Sequence, residues 1–330
     1  MKIIKLFLVI YLLLATSVSF ANNMEFQSWK KDFKIYALKK GISQKTLDII
    51  LKDANYLPKV IKYDRFQPEF YEDTITYINK RTSNNKLQKG IILFNKNKKV
   101  INQIDKEFNV DKELLIALMG IETNYGKYLG KMDIISSLAT LSYDKRRSEF
   151  FTNELITILK LIDKKIVDPK ILYGSWAGAF GNFQFMPTTI EKYAVDYDKN
   201  NKIELKSFKD SLASAANYIN LIGWKKSSPC FISVDLKENI PKKFLNTSAK
   251  KISNKKKIKY FKKYIKNNIN INENLYSAIV TPDKDIIENS SNFSPAYLVF
   301  DNYELILKWN RSLRFALAVC TLKDKLKNEL

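Results

Sequence analysis

The sequence predicts a mainly α-helical protein that carries one small mixed α+β subdomain. Glycine and proline are scarce, 9 and 8 in 330 residues, far below the roughly 12% of ordinary globular chains, which disfavours turn-rich sandwiches and collagen-like repeats. Apolar residues recur at helical spacing along most of the chain, with capping and stop residues at their ends. One stretch departs from this pattern. From Lys225 to Val280, short apolar pieces are interrupted by Lys242-Lys243, Lys250-Lys251 and Lys255-Lys256-Lys257, as expected of a subdomain with a few strands. A disordered insert is the alternative.

The chain opens with a basic stretch, Met1-Lys2-Ile3-Ile4-Lys5, then an apolar run from Leu6 to Phe20 and the small-residue pattern Ser19-Phe20-Ala21. This reads as a secretory signal peptide over 1–21, the apolar run being shorter than the roughly 20 residues of a bilayer span. No cysteine lies near Ala21, so a lipid-modified N-terminus is not expected. Phe26, Trp29, Phe33, Tyr36 and Leu38 mark the first helix, and Gly41 followed by Ser43 reads as a stop and the N-cap of the next. The chain is irregular around Pro68, and long helical patterns then run from Tyr71 to Phe108.

Asp111 is placed to cap a helix with the apolar stripe Leu114, Leu115, Leu118 and Ile121, ending at Gly126. Further helices are expected over Glu149 to Ile162, from Pro187 to Ala194, after Asp210 to Gly223, and from Tyr303 to Leu322. The expected organisation is one region over 22–325, with a helical core of 22–225 and 290–325 around a Lys-rich inserted subdomain at 226–289.

Composition narrows the function. At 45% hydrophobic and 27% charged residues, the chain is neither disordered nor a multispan membrane protein. Its 56 Lys and Arg against 34 Asp and Glu give a formal charge of +22. An exported cationic protein meets anionic envelope polymers rather than nucleic acid, although a solvated Lys-rich surface accounts for the charge equally well. Cys230 and Cys320 are able to pair in an oxidising compartment, a point their positions do not decide. Histidine is absent, which removes His-dependent triads and most zinc sites and leaves acid/base work to carboxylates.

Glu122 follows Leu118 by four residues and Leu115 by seven, so a helix sets its carboxyl on the core-facing side near the helix end. Desolvation there would raise its pKa and make it a proton donor near neutral pH; an ion-paired or capping glutamate is the alternative. Gly174-Ser175-Trp176-Ala177-Gly178-Ala179-Phe180-Gly181 permits close backbone approach to a ligand but lacks the lysine of a phosphate loop. With Gln184 and its aromatic neighbours it suits a sugar; a tight packing corner explains the glycines almost as well. From Asp196 to Glu204 the chain carries half of a calcium loop, with oxygens from Asp196, Asp198 and Asn200 and a carbonyl at Lys202. Asn201 stands where glycine is usual and Ser207 where the bidentate acid is usual. Asp210 is able to supply that acid, and on the loop pattern alone metal binding and a metal-free turn both stay open.

Taken together the motifs resemble one family, the lytic murein transglycosylases of the B type, glycosidases of bacterial peptidoglycan. The resemblance runs in order through Gly41-Ile42-Ser43, Val60-Ile61, Asp64-Arg65 with Gln67-Pro68-Glu69-Phe70, and Gly120-Ile121-Glu122-Thr123-Asn124-Tyr125-Gly126. It continues through Leu138-Ala139-Thr140-Leu141-Ser142, Arg146-Arg147, the Gly174 segment, Gln184-Phe185-Met186-Pro187, Tyr193-Ala194-Val195-Asp196, Ala216-Asn217-Tyr218, Gly223-Trp224 and Asn310-Arg311-Ser312.

The resemblance implies a lysozyme-like helical core around a glycan groove, with Glu122 as the single acid/base and Ser175 orienting it. It further implies a groove lined by Arg146, Arg147, Gln184, Tyr218, Asn310 and Ser312, and a calcium loop of Asp196, Asp198, Asn200, the Lys202 carbonyl and Asp210. The implied reaction cleaves the MurNAc-β-1,4-GlcNAc bond with formation of 1,6-anhydro-MurNAc ends during cell-wall turnover. It needs no cofactor for the chemistry; a structural calcium ion is the one metal expected. The implied setting is the periplasm, and the implied partners are peptidoglycan strands and cell-wall synthesis enzymes, met by a monomer. A hydrolytic muramidase and an inactive cell-wall-binding scaffold are the alternatives. Where the family often has tyrosine, this chain has Phe150, Trp309 and Phe315, which should keep stacking surface and lose hydroxyl contacts.

Overall fold

The computed structural model describes residues 24–66, 72–285 and 293–330. The expected signal peptide and the Gln67-Pro68-Glu69-Phe70 motif lie outside the described residues. The chain divides into two units, Met1–Phe66 with Leu129–Lys192 and Lys199–Glu204, and Gln67–Tyr128 with Tyr193–Asp198 and Leu205–Leu330.

The first unit is helical. Helix α1 (24–39) ends before Gly41, whose φ of 85° is the left-handed stop anticipated above. Ser43 then caps α2 (Gln44–Ile50), accepting from the Thr46 amide at 3.2 Å while its hydroxyl donates to Asp163 at 2.6 Å. After α3 (Pro58–Arg65) this unit resumes with a two-residue ribbon, β1 (Met132–Asp133) against β2 (Tyr173–Gly174). Asp133 caps α7 (Ile134–Tyr143), which packs on α8 (Ser148–Asp163) and on α3. Leu138, Phe151, Leu155 and Ile158 are buried between these helices.

The second unit contains α4 (Thr74–Arg81), the long α5 (Asn84–Phe108), α6 (Lys112–Thr123), α10 (Phe208–Leu221), α12 (Asp301–Trp309) and α13 (Leu313–Lys327). Helix α13 packs on α4, α5, α6 and α12, and α10 packs on α5 and α6. Asp111 sits at the N-cap position of α6 but does not cap it. Its buried carboxylate instead accepts from the Trp224 indole at 2.7 Å and the Ser227 amide at 3.1 Å, tying down the segment that follows α10. The single closing helix expected from Tyr303 to Leu322 is two helices. Asn310 is extended (φ −139°, ψ 120°), and Ser312 starts α13 by accepting from the Phe315 amide at 3.2 Å.

The Lys-rich segment is ordered among the described residues, which removes the disordered alternative. It supplies β3 (Phe231–Val234), β4 (Leu245–Asn246), β5 (Lys256–Lys257), the short α11 (Ile258–Phe261) and β6 (Tyr276–Val280), while β7 (Ala296–Val299) comes from beyond residue 289. The strand order is β3-β7-β6-β4, antiparallel except for β4 beside β6, with β5 pairing β6. Val234, Phe244, Ile258, Phe261, Ile279 and Leu298 give this sheet a core of its own. Cys230 and Cys320 are joined as a disulfide that links the entry to this sheet with α13.

Candidate active site

Glu122 is the penultimate residue of α6, whose apolar side (Leu114, Leu115, Leu118) is fully buried. The helix stops there because Asn124 (φ 50°) and Tyr125 (φ 62°) turn left-handed, as does Gly126, their amides bonding back to Gly120 and Met119 at 3.1 Å. Tyr125 then folds back over the helix end and donates its hydroxyl to the Lys86 carbonyl of α5 at 2.8 Å. Lys86 in turn donates its ammonium to the Gly120 carbonyl at 2.9 Å, meeting the negative end of the α6 dipole. Glycine is required beneath the Tyr125 ring, since a Cβ at Gly120 would lie 2.7 Å from it. The last turn of α6, and so the Cα of Glu122, is therefore clamped from α5.

The Glu122 side chain keeps part of its surface accessible, yet its carboxyl is desolvated. Burial pushes its pKa up to about 7, opposed by one hydrogen bond, the Trp309 indole N–H donating to Glu122 Oε1 at 2.9 Å. Trp309 ends α12 and stacks on Tyr218 of α10, centroids 5.0 Å apart, and Tyr218 stacks on Tyr193 at 4.2 Å. Tyr218, 9% exposed, donates its hydroxyl to the Lys308 carbonyl at 3.0 Å, so among the described contacts it braces Trp309. Asn310 is exposed in the break between α12 and α13, and the Ser312 oxygen serves as the α13 cap. Phe315, 4% exposed, is a packing residue of α13 and offers no stacking surface, contrary to expectation.

The remaining expected residues belong to the first unit. Arg146 and Arg147 both address Asp64, which is 2% exposed: Arg146 reaches its carboxylate at 3.4 Å and its carbonyl at 2.9 Å, and Arg147 its carboxylate at 3.3 Å. Much of their charge is thus committed within the protein rather than held for a substrate acid. The Arg147 guanidinium also lies 4.9 Å from the ring centroid of Phe150, which is 43% exposed. Ser175 Oγ accepts from the Ala179 amide at 3.1 Å. In this segment the glycines serve close packing: a Cβ at Gly174 would meet the Ala179 carbonyl at 2.2 Å, and one at Gly178 (φ 88°) would meet Leu138 at 2.4 Å. Gln184, just before α9 (Pro187–Tyr193), is held left-handed at φ 49°, its amide nitrogen donating to the Gly181 and Leu129 carbonyls at 3.0 and 3.3 Å.

Asp196, Asp198 and Asp210 bring carboxylate oxygens within 4.8 Å of one another. Asp210 is fully buried and accepts from the Tyr197 amide at 3.0 Å, and Asn201 takes the left-handed conformation (φ 66°) that its place in the loop demands. Three converging hard oxygen donors fit a calcium ion better than a softer metal. Asn200 and Lys202 lie in the first unit, where the Lys202 amide donates to the Asn200 side chain at 2.9 Å. No signal in the sequence points to the Asp64 pairing with Arg146 and Arg147, the Lys86 bond to Gly120 or the Trp309 bond to Glu122; Asp64-Arg65 stands out only as part of a motif, and Trp309 only as a stacking surface.

The molecule is a mainly helical protein with a desolvated glutamate, hydrogen-bonded to an indole, at the end of a buried helix. A family profile for the transglycosylase SLT domain matches residues 25–324, and the chain belongs to that family. It is 36% identical over 153 residues to the membrane-bound lytic murein transglycosylase B of Escherichia coli strain K12. That match covers 46% of this chain and 42% of the relative, so under half the relative's length is spanned. The SltB3 crystal structure from Pseudomonas aeruginosa in complex with NAG-NAM-pentapeptide superposes with a TM-score of 0.80 at 30% identity, over 92% of this chain and 79% of that one. The Escherichia coli lytic transglycosylase SLT35 in complex with calcium gives a TM-score of 0.76 at 26% identity, over 94% and 95% of the two chains. These neighbours agree with the lysozyme-like, mainly helical architecture expected. Among the described residues no helix is long and apolar enough to cross a membrane.

Proposed function

We propose that this protein is an exported peptidoglycan lytic transglycosylase that cleaves the MurNAc-β-1,4-GlcNAc bond and leaves 1,6-anhydro-MurNAc ends. The observation that carries the reading is Glu122, an acid with a pKa raised to about 7 at the end of α6, in a chain that the family profile matches almost throughout. At neutral pH about half such groups hold a proton. Glu122 donates it to the glycosidic oxygen as the C1–O4 bond breaks, and the sugar's own 2-acetamido oxygen covers the cationic carbon. The resulting carboxylate takes the proton of the muramoyl 6-hydroxyl, whose oxygen closes on C1. No second carboxylate is needed, unlike the two-carboxylate glycosidases.

In this reading Tyr218, Asn310 and Ser312 bind glycan on the second unit, and Gln184, Arg146 and Arg147 bind it on the first, where Ser175 serves the chemistry. Asp196, Asp198 and Asp210 hold a structural calcium ion. The protein acts as a monomer in the periplasm during cell-wall turnover, alongside cell-wall synthesis enzymes. The test is release of soluble muropeptides from purified sacculi by the wild type and by Glu122→Gln. Release by the wild type alone is expected; equal release by both removes Glu122 from the chemistry. Release by neither, with both cosedimenting with sacculi, makes the protein a cell-wall-binding scaffold.

A further inference from the structure

We infer that Trp309 is a positioning residue that assigns the transferable proton of Glu122 to one oxygen, Oε2. The inference deepens the reading of Glu122 as the acid and rests on it. An indole N–H donates one hydrogen bond and accepts none. Directed at Oε1 at 2.9 Å, it is compatible with Oε1 as the carbonyl oxygen of the neutral acid or as part of the carboxylate, but not with Oε1 as the hydroxyl aimed back along the same line. A hydroxyl oxygen is a poorer acceptor than a carbonyl oxygen, so the N–H at Oε1 favours the proton of the neutral acid on Oε2, and the carboxylate left after transfer keeps the same charge-assisted hydrogen bond. A tyrosine hydroxyl at this position would donate or accept, and would let the acid proton point at it instead of at a ligand.

The indole is well braced for this role. Its plane is set by Tyr218, 5.0 Å away and tilted by only 18°, and Tyr218 rests on Tyr193 with a tilt of 16°. The hydroxyl of the same Tyr218 takes hold of the backbone immediately before Trp309, at the Lys308 carbonyl, 3.0 Å away. From the other side, Lys86 and Tyr125 fix the last turn of α6. Both partners of the Trp309–Glu122 hydrogen bond are thus held from their own helices, which preorganises the acid before a ligand arrives. The N–H also favours the charged carboxylate and so opposes the effect of burial.

Two experiments test this, one on the unaltered chain. With nitrogen-labelled indoles, the four tryptophans give four side-chain N–H resonances, and Trp309→Phe assigns one of them. That resonance should titrate between about pH 5 and about pH 9 with the protonation of Glu122, and should become pH-independent in Glu122→Gln; a flat titration in the wild type overturns the inference without any reference to activity. In kinetics, Trp309→Phe keeps a ring for the stack and removes the donor. Its alkaline limb should move upward by about one pH unit, with kcat lowered about tenfold and KM little changed, and Trp309→Tyr should return the limb toward its wild-type position. A Trp309→Phe limb at the wild-type position overturns the inference. Wild-type rates in Glu122→Gln would sink the functional reading itself, while the indole titration would still report the contact.

Discussion

Replacing Glu122 by glutamine should make the protein more stable at alkaline pH while abolishing its chemistry. The carboxyl titrates near pH 7 in the folded chain against 4.5 for an ordinary glutamate. Between those values the folded state keeps a proton that the unfolded chain has released, so stability falls as the pH rises through that window and the loss is complete above the folded pKa. At about 1.4 kcal/mol per pH unit the loss is about 3 kcal/mol. A glutamine has no proton to lose, and its amide oxygen still accepts the Trp309 N–H. For a chain of this length, with an unfolding entropy of ~2.1 cal/mol/K per residue, that difference corresponds to about 5 °C in the thermal midpoint. The assay is a pair of melting curves at each of two pH values. The variant should match the wild type near about pH 4 and melt about 5 °C above it near about pH 8.5. A difference that is the same at both values, or a variant less stable at the higher one, would refute the argument that burial holds this acid near neutrality.

Gly120→Ala should drive a methyl group into the Tyr125 ring, 2.7 Å away, and cost about 1–3 kcal/mol in urea unfolding together with a loss of activity; unchanged unfolding would mean that the clamp on α6 is loose. Added calcium should raise the melting midpoint of the wild type by mass action, and Asp210→Ala should abolish that response; a midpoint unmoved by calcium removes the metal from the acidic loop. Cys230→Ser opens a disulfide spanning 90 residues and should lower stability by about 4–5 kcal/mol on loop-closure grounds, measured as the drop in denaturation midpoint under oxidising conditions; no drop would show that the bridge constrains little.

What could be read from the sequence was local and periodic. The buried stripe of α6, the Gly41 stop, the Ser43 cap and the left-handed Asn201 follow from neighbours within a turn or two, and the structure has them where spacing puts them. Helix α7 escaped a periodic reading because its residues from Ile134 to Ser142 are all buried, and a helix buried on every side has no polar face to reveal its period. The break at Asn310 was hidden for another reason: Trp309, Leu313 and Phe315 continue an apolar run, and only the Ser312 cap, one hydroxyl, marks the restart.

The polar partners were beyond reach for a third reason, their separation along the chain. Asp111 looked like a helix cap because caps are local, yet its carboxylate is claimed by Trp224, 113 residues on. Asp64 draws in Arg147 from 83 residues away, and Trp309 meets Glu122 across 187. Nothing in one sequence pairs such residues. The glycines near Ser175 were ambiguous for the same reason, since only the fold reveals that a Cβ at Gly174 would meet a backbone carbonyl.

If one carboxyl serves in turn as acid and base, no solvent oxygen enters the product, and the fate of water is decisive. Digestion of purified sacculi in water carrying a heavy oxygen isotope, followed by mass spectrometry of the released muropeptides, separates ring closure from hydrolysis. Anhydro-muramoyl ends with no heavy oxygen incorporated are expected. Reducing muramoyl ends carrying the solvent's oxygen would contradict it.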